Sequence, residues 1–200
     1  MNGMNPINNH SVLQNLSADD HPQYHPEGMR FFPGNYFNGN RTRSGPGTFT
    51  LTKDRLYFFP FRIGVAATFD RMSISVNTAV DASNVYFAVY LDDGSESKPS
   101  LLLTSLFSVN TATTGIKEII FGSTVLAFTT IWLAIASDSM GVILDSQGKT
   151  DITATLGASA PGAENATYLY YDGTAGTWIS PITGLTSASD QSWCAYLKAV

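Results

Sequence analysis

The chain has a single cysteine, Cys194, so within one copy it can close no disulfide and build no cysteine-based zinc site. Its neighbours Trp193 and Tyr196 make a small buried hydrophobe the expected role of that thiol. Histidine is almost as scarce. His10, His21 and His25 all precede residue 26, which leaves the remaining chain unable to assemble a Ser-His-Asp triad by itself. No Gly-x-Ser-x-Gly elbow is present, and few acids stand in apolar surroundings, so catalysis is not expected. Charge is sparse as well: 14% of residues are charged, against a usual share of about 25%. The net charge of −5 lacks the basic footprint that nucleic acid demands. No apolar run approaches the roughly 20 residues of a membrane span, and the first residues lack a basic-then-apolar leader, so membrane insertion is not expected.

What fills the gap is Ser, Thr, Asn and Gly beside a hydrophobic share of 44%, enough for a core and suited to strands and turns. The charge is uneven. Residues 1–71 carry seven Lys/Arg and five Asp/Glu, residues 72–200 four and eleven, balances of +2 and −7 that point to different surroundings for the two parts.

Along the chain, residues 1–9 are Asn-rich and read as a tether; Val12, Leu13 and Leu16 then stand at helical spacing, and Pro22 and Pro26 end that short helix. Residues 27–47 are dense in turns, with Phe31, Phe32, Tyr36 and Phe37 among Arg30, Arg41 and Arg43. Residues 1–47 are therefore expected to be a docking arm and linker, and residues 48–200 one β-domain. Strands are expected at 48–51, 55–63, 71–76, 85–91, 101–109, 116–121, 130–136, 141–144, 167–171, 177–179 and 193–197. Short strands at even spacing imply an antiparallel sandwich, specifically a jelly roll, burying Ile74, Val76, Phe87, Val89, Leu103, Ile119, Phe121, Leu133 and Ile135.

Two parts of the sequence resemble bacteriophage tail and appendage proteins. The first is the segment from His10 through Leu13, Leu16 and Asp19-Asp20-His21-Pro22-Gln23-Tyr24. The second is a series spread over the sandwich: Leu56-Tyr57 with Pro60-Phe61, Thr68-Phe69-Asp70-Arg71, Val85–Tyr90 with Asp92, Gly94, Pro99 and Leu102, Thr114–Glu118, and Ile131–Ala134. The resemblance covers most of residues 10–136 and none of the chain beyond about Asp138. It implies a homotrimeric virion protein, a short tail fibre or similar appendage, that attaches to the baseplate or other virion proteins and presents its sandwich to a host cell-surface polysaccharide. A capsid decoration or cement protein is the alternative, and a polysaccharide-degrading tail enzyme ranks last.

Three sets of candidate residues follow. For docking and oligomer contacts they are His10, Leu13, Leu16, Asp20, His21, Tyr24, Phe31, Phe32 and Tyr36, since aromatic residues among arginines are typical protein anchors. For carbohydrate they are Tyr168, Tyr170, Tyr171, Asp172 and Trp178, rings that could stack on sugars, with Trp193 and Tyr196 following; packing in the core or at a subunit contact is the competing use. No cofactor is expected, with one exception: copies of His21 or His25 meeting on a trimer axis could hold a metal ion. Pro22 opposes a helical His21–His25 pair within one chain, and hydrogen bonding of the arm to a neighbouring subunit is the favoured use of His21 and Tyr24. Asp19-Asp20 and Asp92-Asp93-Gly94 read as turns, because neither shows the alternating spacing of a calcium loop.

Overall fold

The structure is a computed structural model and describes residues 31, 33–37, 46–94, 98–126, 129–147, 168–178, 183–188 and 194–200. The expected short helix, His10 to Tyr24, His25, Arg30, Phe32, Arg41, Arg43 and Trp193 lie outside them.

Thirteen strands are described: β1 Tyr36–Phe37, β2 Pro46–Thr50, β3 Arg55–Ile63, β4 Ala67–Thr78, β5 Asn84–Asp92, β6 Pro99–Leu102, β7 Phe107–Asn110, β8 Gly115–Leu126, β9 Thr129–Ser137, β10 Ile143–Gln147, β11 Tyr168–Asp172, β12 Thr186–Ala188 and β13 Tyr196–Ala199. They form two antiparallel sheets. In sheet A the order is β2-β10-β4-β8, with β13 beside β10 on the same edge of β4 and β1 outside β13. In sheet B the order is β12-β11-β3-β9-β5, and β5 carries β6 and β7 one after the other on its far edge. The chain changes sheet at nearly every step from β2 to β10. Counting β6 and β7 as one, those strands stand in the order 1-8-3-6 in one sheet and 2-7-4-5 in the other, the arrangement of a jelly roll. Strands β11, β12, β13 and β1 are additions at its margins.

The core lies between the sheets. Alternate residues Tyr57, Phe59, Phe61 and Ile63 of β3, Val85, Phe87 and Val89 of β5, and Ile131, Leu133 and Ile135 of β9 face Phe69, Met72, Ile74 and Val76 of β4, Ile119 of β8, Leu144 of β10 and Leu197 of β13. Each large apolar side chain so buried stabilises the fold by about 1.5–3 kcal/mol. The outer face of sheet B is apolar too: Leu56, Phe58, Ala88, Tyr90, Trp132, Ala134 and Ala136 are fully buried there, with Tyr171, Ala175, Trp178 and Leu185 packed on them. Cover on both faces explains why β3 and β9 read as continuous apolar runs rather than alternating ones. Asp54, in the left-handed region at φ 59°, ties down the covering segment, its carboxylate accepting from the Ala175 amide at 3.0 Å and its carbonyl from Gly173 at 2.8 Å.

Two expectations need correction. The run 101–109 is two strands, not one, because Leu103 and Thr104 turn off β6: the Leu103 amide donates to the Val89 carbonyl at 2.7 Å and the Thr104 hydroxyl accepts from the Val89 amide at 3.1 Å. Leu103, expected in the core, is accordingly 37% exposed. Thr177 and Trp178 likewise lie outside any strand, in the segment packed on sheet B. Gly122, at φ +90°, marks where β8 bulges, since Phe69 pairs with Thr124 but Arg71 with Ile120.

Candidate functional site

The strand registers bring together, on the outer face of sheet A, residues far apart in sequence. Arg71 of β4 pairs with Ile120 of β8 on one side and Lys198 of β13 on the other, and Lys198 pairs in turn with Tyr36 of β1. One step along, Ser73 lies between Glu118 and Tyr196; one step further, Ser75 faces Ile116. Since β4 alternates, Met72, Ile74 and Val76 enter the core while Arg71, Ser73 and Ser75 turn outward.

Tyr36 reaches across β13 and β4. Its hydroxyl donates to Glu118, and the Lys198 ammonium sits 5.0 Å from the centre of its ring. Glu118 also accepts from Arg71 at 3.4 Å, and Arg71 pairs with the neighbouring Asp70 at 3.3 Å. The Tyr36 hydrogen bond, helped by Lys198 and Arg71, holds the Glu118 carboxyl below its ordinary range, while Asp70 chiefly, with Glu118, raises Arg71. At the other end Asp145 of β10 accepts from the Ser75 hydroxyl at 2.5 Å and the Asn77 amide at 2.9 Å. Between these groups lies an open cavity of about 200 Å³ lined by Tyr36, Ser73, Ile74, Ser75, Ile116 and Tyr196. Two tyrosines and the isoleucines meet serine hydroxyls there, a combination suited to an amphipathic, hydroxylated ligand.

The expected carbohydrate residues are placed elsewhere. Tyr168 is buried, with its ring centre 5.6 Å from Phe49 and 5.8 Å from Phe59. Tyr170 lies under the Arg55 guanidinium at 4.2 Å, and Arg55 grips Asp172 through two hydrogen bonds of 2.6 and 3.2 Å, which raise the arginine's pKa. Tyr171 faces the opposite side of sheet B, where Trp178 stacks on Tyr90 at 6.0 Å. Asp172 alone of the five is exposed, and the four rings do not share one open face.

Of the expected docking residues, Phe31 and Tyr36 are described. Phe31 packs on Phe37 and Phe69, each at 5.0 Å, and on Phe61 at 6.0 Å. The linker is thus sealed to the sandwich core at this point. Cys194 is buried and its thiol is pushed up by burial, away from reactivity. Among the described residues no group of three or more His, Cys, Asp or Glu could hold a metal, and the histidines lie outside them. No helix among them is long and apolar enough to cross a membrane.

No protein-family model matches the chain, and no curated protein matches it.

Proposed function

We propose that the protein is a structural component of a bacteriophage virion, a short tail fibre or comparable appendage, homotrimeric, that docks through residues 1–47 and presents its jelly roll to the host surface. The observation that carries this reading is the union of the Asp19–Tyr24 segment with a jelly-roll sandwich. Two further features support it. Phe31, β1 and the Gly34 amide, which donates to the Ala199 carbonyl at 2.9 Å, fix the root of the arm to the domain, so docking the arm would orient the sandwich. The β6–β7 margin of sheet B exposes Leu101, Leu102, Leu103 and Leu106, an apolar edge of the kind that subunits cover. We assign the trimer contact to that edge.

Competition tests the reading. The purified chain, added ahead of the phage that encodes it, is expected to occupy the host surface and slow adsorption in proportion to its concentration. Undiminished adsorption at saturating protein would contradict host-surface presentation.

A further inference from the structure

We propose that the cavity on the outer face of sheet A is a subsite for a neutral pyranose ring, stacked against Tyr196 beside Tyr36 and hydrogen-bonded through Ser75. The inference rests on the reading above, because it names the ligand that the presented face would take, and it assigns that ligand to a different sheet from the tyrosines of β11.

Size comes first. At about 200 Å³ the cavity is smaller than the roughly 300–1,000 Å³ pockets that enclose drug-sized ligands. It therefore suits one ring of a larger chain rather than a whole oligosaccharide, and its openness to the surface lets neighbouring sugars continue along the sheet. A pyranose has an apolar C–H face and a rim of hydroxyls. Here the rings of Tyr36 and Tyr196 and the side chain of Ile116, 64% exposed, offer apolar contact to such a face. The Ser75 hydroxyl donates to Asp145 and keeps oxygen lone pairs to accept from a sugar hydroxyl. Glu118 accepts from the Tyr36 hydroxyl and so fixes that ring at the edge of the cavity.

Charge selects the kind of sugar. Arg71 is matched by Asp70 and Glu118, Lys198 lies over the Tyr36 ring, and Asp145 is engaged by Ser75 and Asn77. The face thus carries two cations against three carboxylates, and a uronic or sialic acid would lose hydration at its carboxylate while meeting that excess of negative charge. Neutral hexoses avoid that cost.

The test is saturation-transfer NMR on the full chain with glucose, galactose and mannose, beside glucuronic and galacturonic acids. At least one neutral hexose is expected to bind, and Tyr196→Ala should weaken it about tenfold through loss of one stacking face. Tyr196→Phe, which keeps the ring, and Asp172→Ala on β11 should both bind like the native chain; a native circular dichroism spectrum shows that each variant is folded. Binding that Tyr196→Ala leaves unchanged, a preference for the uronic acids, or no hexose binding at all would overturn the subsite. So would self-association abolished by Ile116→Ser, which would give the cavity to a second copy. If Tyr196→Ala blocks phage adsorption as well as the native chain does, the subsite falls and the appendage reading stands. If the native chain does not block adsorption although hexose binds at Tyr196, the appendage reading falls instead.

Discussion

Tyr36 belongs to a strand of two residues yet is held from three other strands: Lys198 of β13 lies over its ring, Glu118 of β8 accepts from its hydroxyl, and Arg71 of β4 steadies Glu118. The pH dependence of this network has a defined sign. Glu118 has a folded pKa below its ordinary value of 4.5, so its stabilising effect is complete above that value and is lost as pH falls through the folded pKa. Glu118→Gln should therefore lower the melting temperature near neutral pH, by an amount equivalent to at most about 1 kcal/mol for so exposed a cluster. The gap to the native chain should close as the pH is taken below 4.5. Thermal melts across that range check this, and a gap that stays constant would mean Glu118 acts through packing alone. Sequence could not show the network. The outward alternation of Arg71, Ser73 and Ser75 was legible within β4, but the partners come from residues 36, 118 and 198, and only the sheet order makes them neighbours.

Among the elements, the strands with the plainest signals were the ones the sequence located best. The expected run 55–63 is β3 itself, and 85–91 and 130–136 lie inside β5 and β9. These strands are apolar on both faces, so their burial does not depend on which way a residue points. Where side chains hydrogen-bond to backbone, as Thr104 does to Val89, local pattern misled, and one expected strand became two. The four rings and one acid around β11 are legible as a cluster in sequence, but alternation sends Tyr168 and Tyr170 to one side of sheet B and Tyr171 to the other. The linker element makes its own prediction. Phe31 wedges against Phe37, Phe61 and Phe69, so Phe31→Ala should cost about 1–3 kcal/mol, less than the loss of a fully buried phenylalanine. The loss should be local: hydrogen exchange should quicken at Gly34 and Ala199, whose amides join the linker to β13, while the amides of β9 stay protected. Equal acceleration in β9 would show that Phe31 supports the whole sandwich.

For the whole molecule, the jelly-roll order was expected from the number and spacing of strands, and the two sheets have it. The additional strands β11, β12 and β13, from the part of the chain beyond the resemblance, widen both sheets without altering that order. The proposed trimer makes a prediction at this scale. Light scattering on the full chain should give three times the 21.6 kDa protomer mass. Leu101→Lys with Leu106→Lys should yield a folded monomer, because two of the four exposed leucines of the β6–β7 margin would then resist burial. A trimer that survives both changes would place the subunit contact elsewhere. The central claim, that the protein is an appendage of the virion, is tested most directly by electron microscopy of virions labelled with gold-tagged antibody against the chain. Label confined to the distal tail, in small numbers per particle, is the predicted result; label spread over the capsid, or none on any particle, would contradict it.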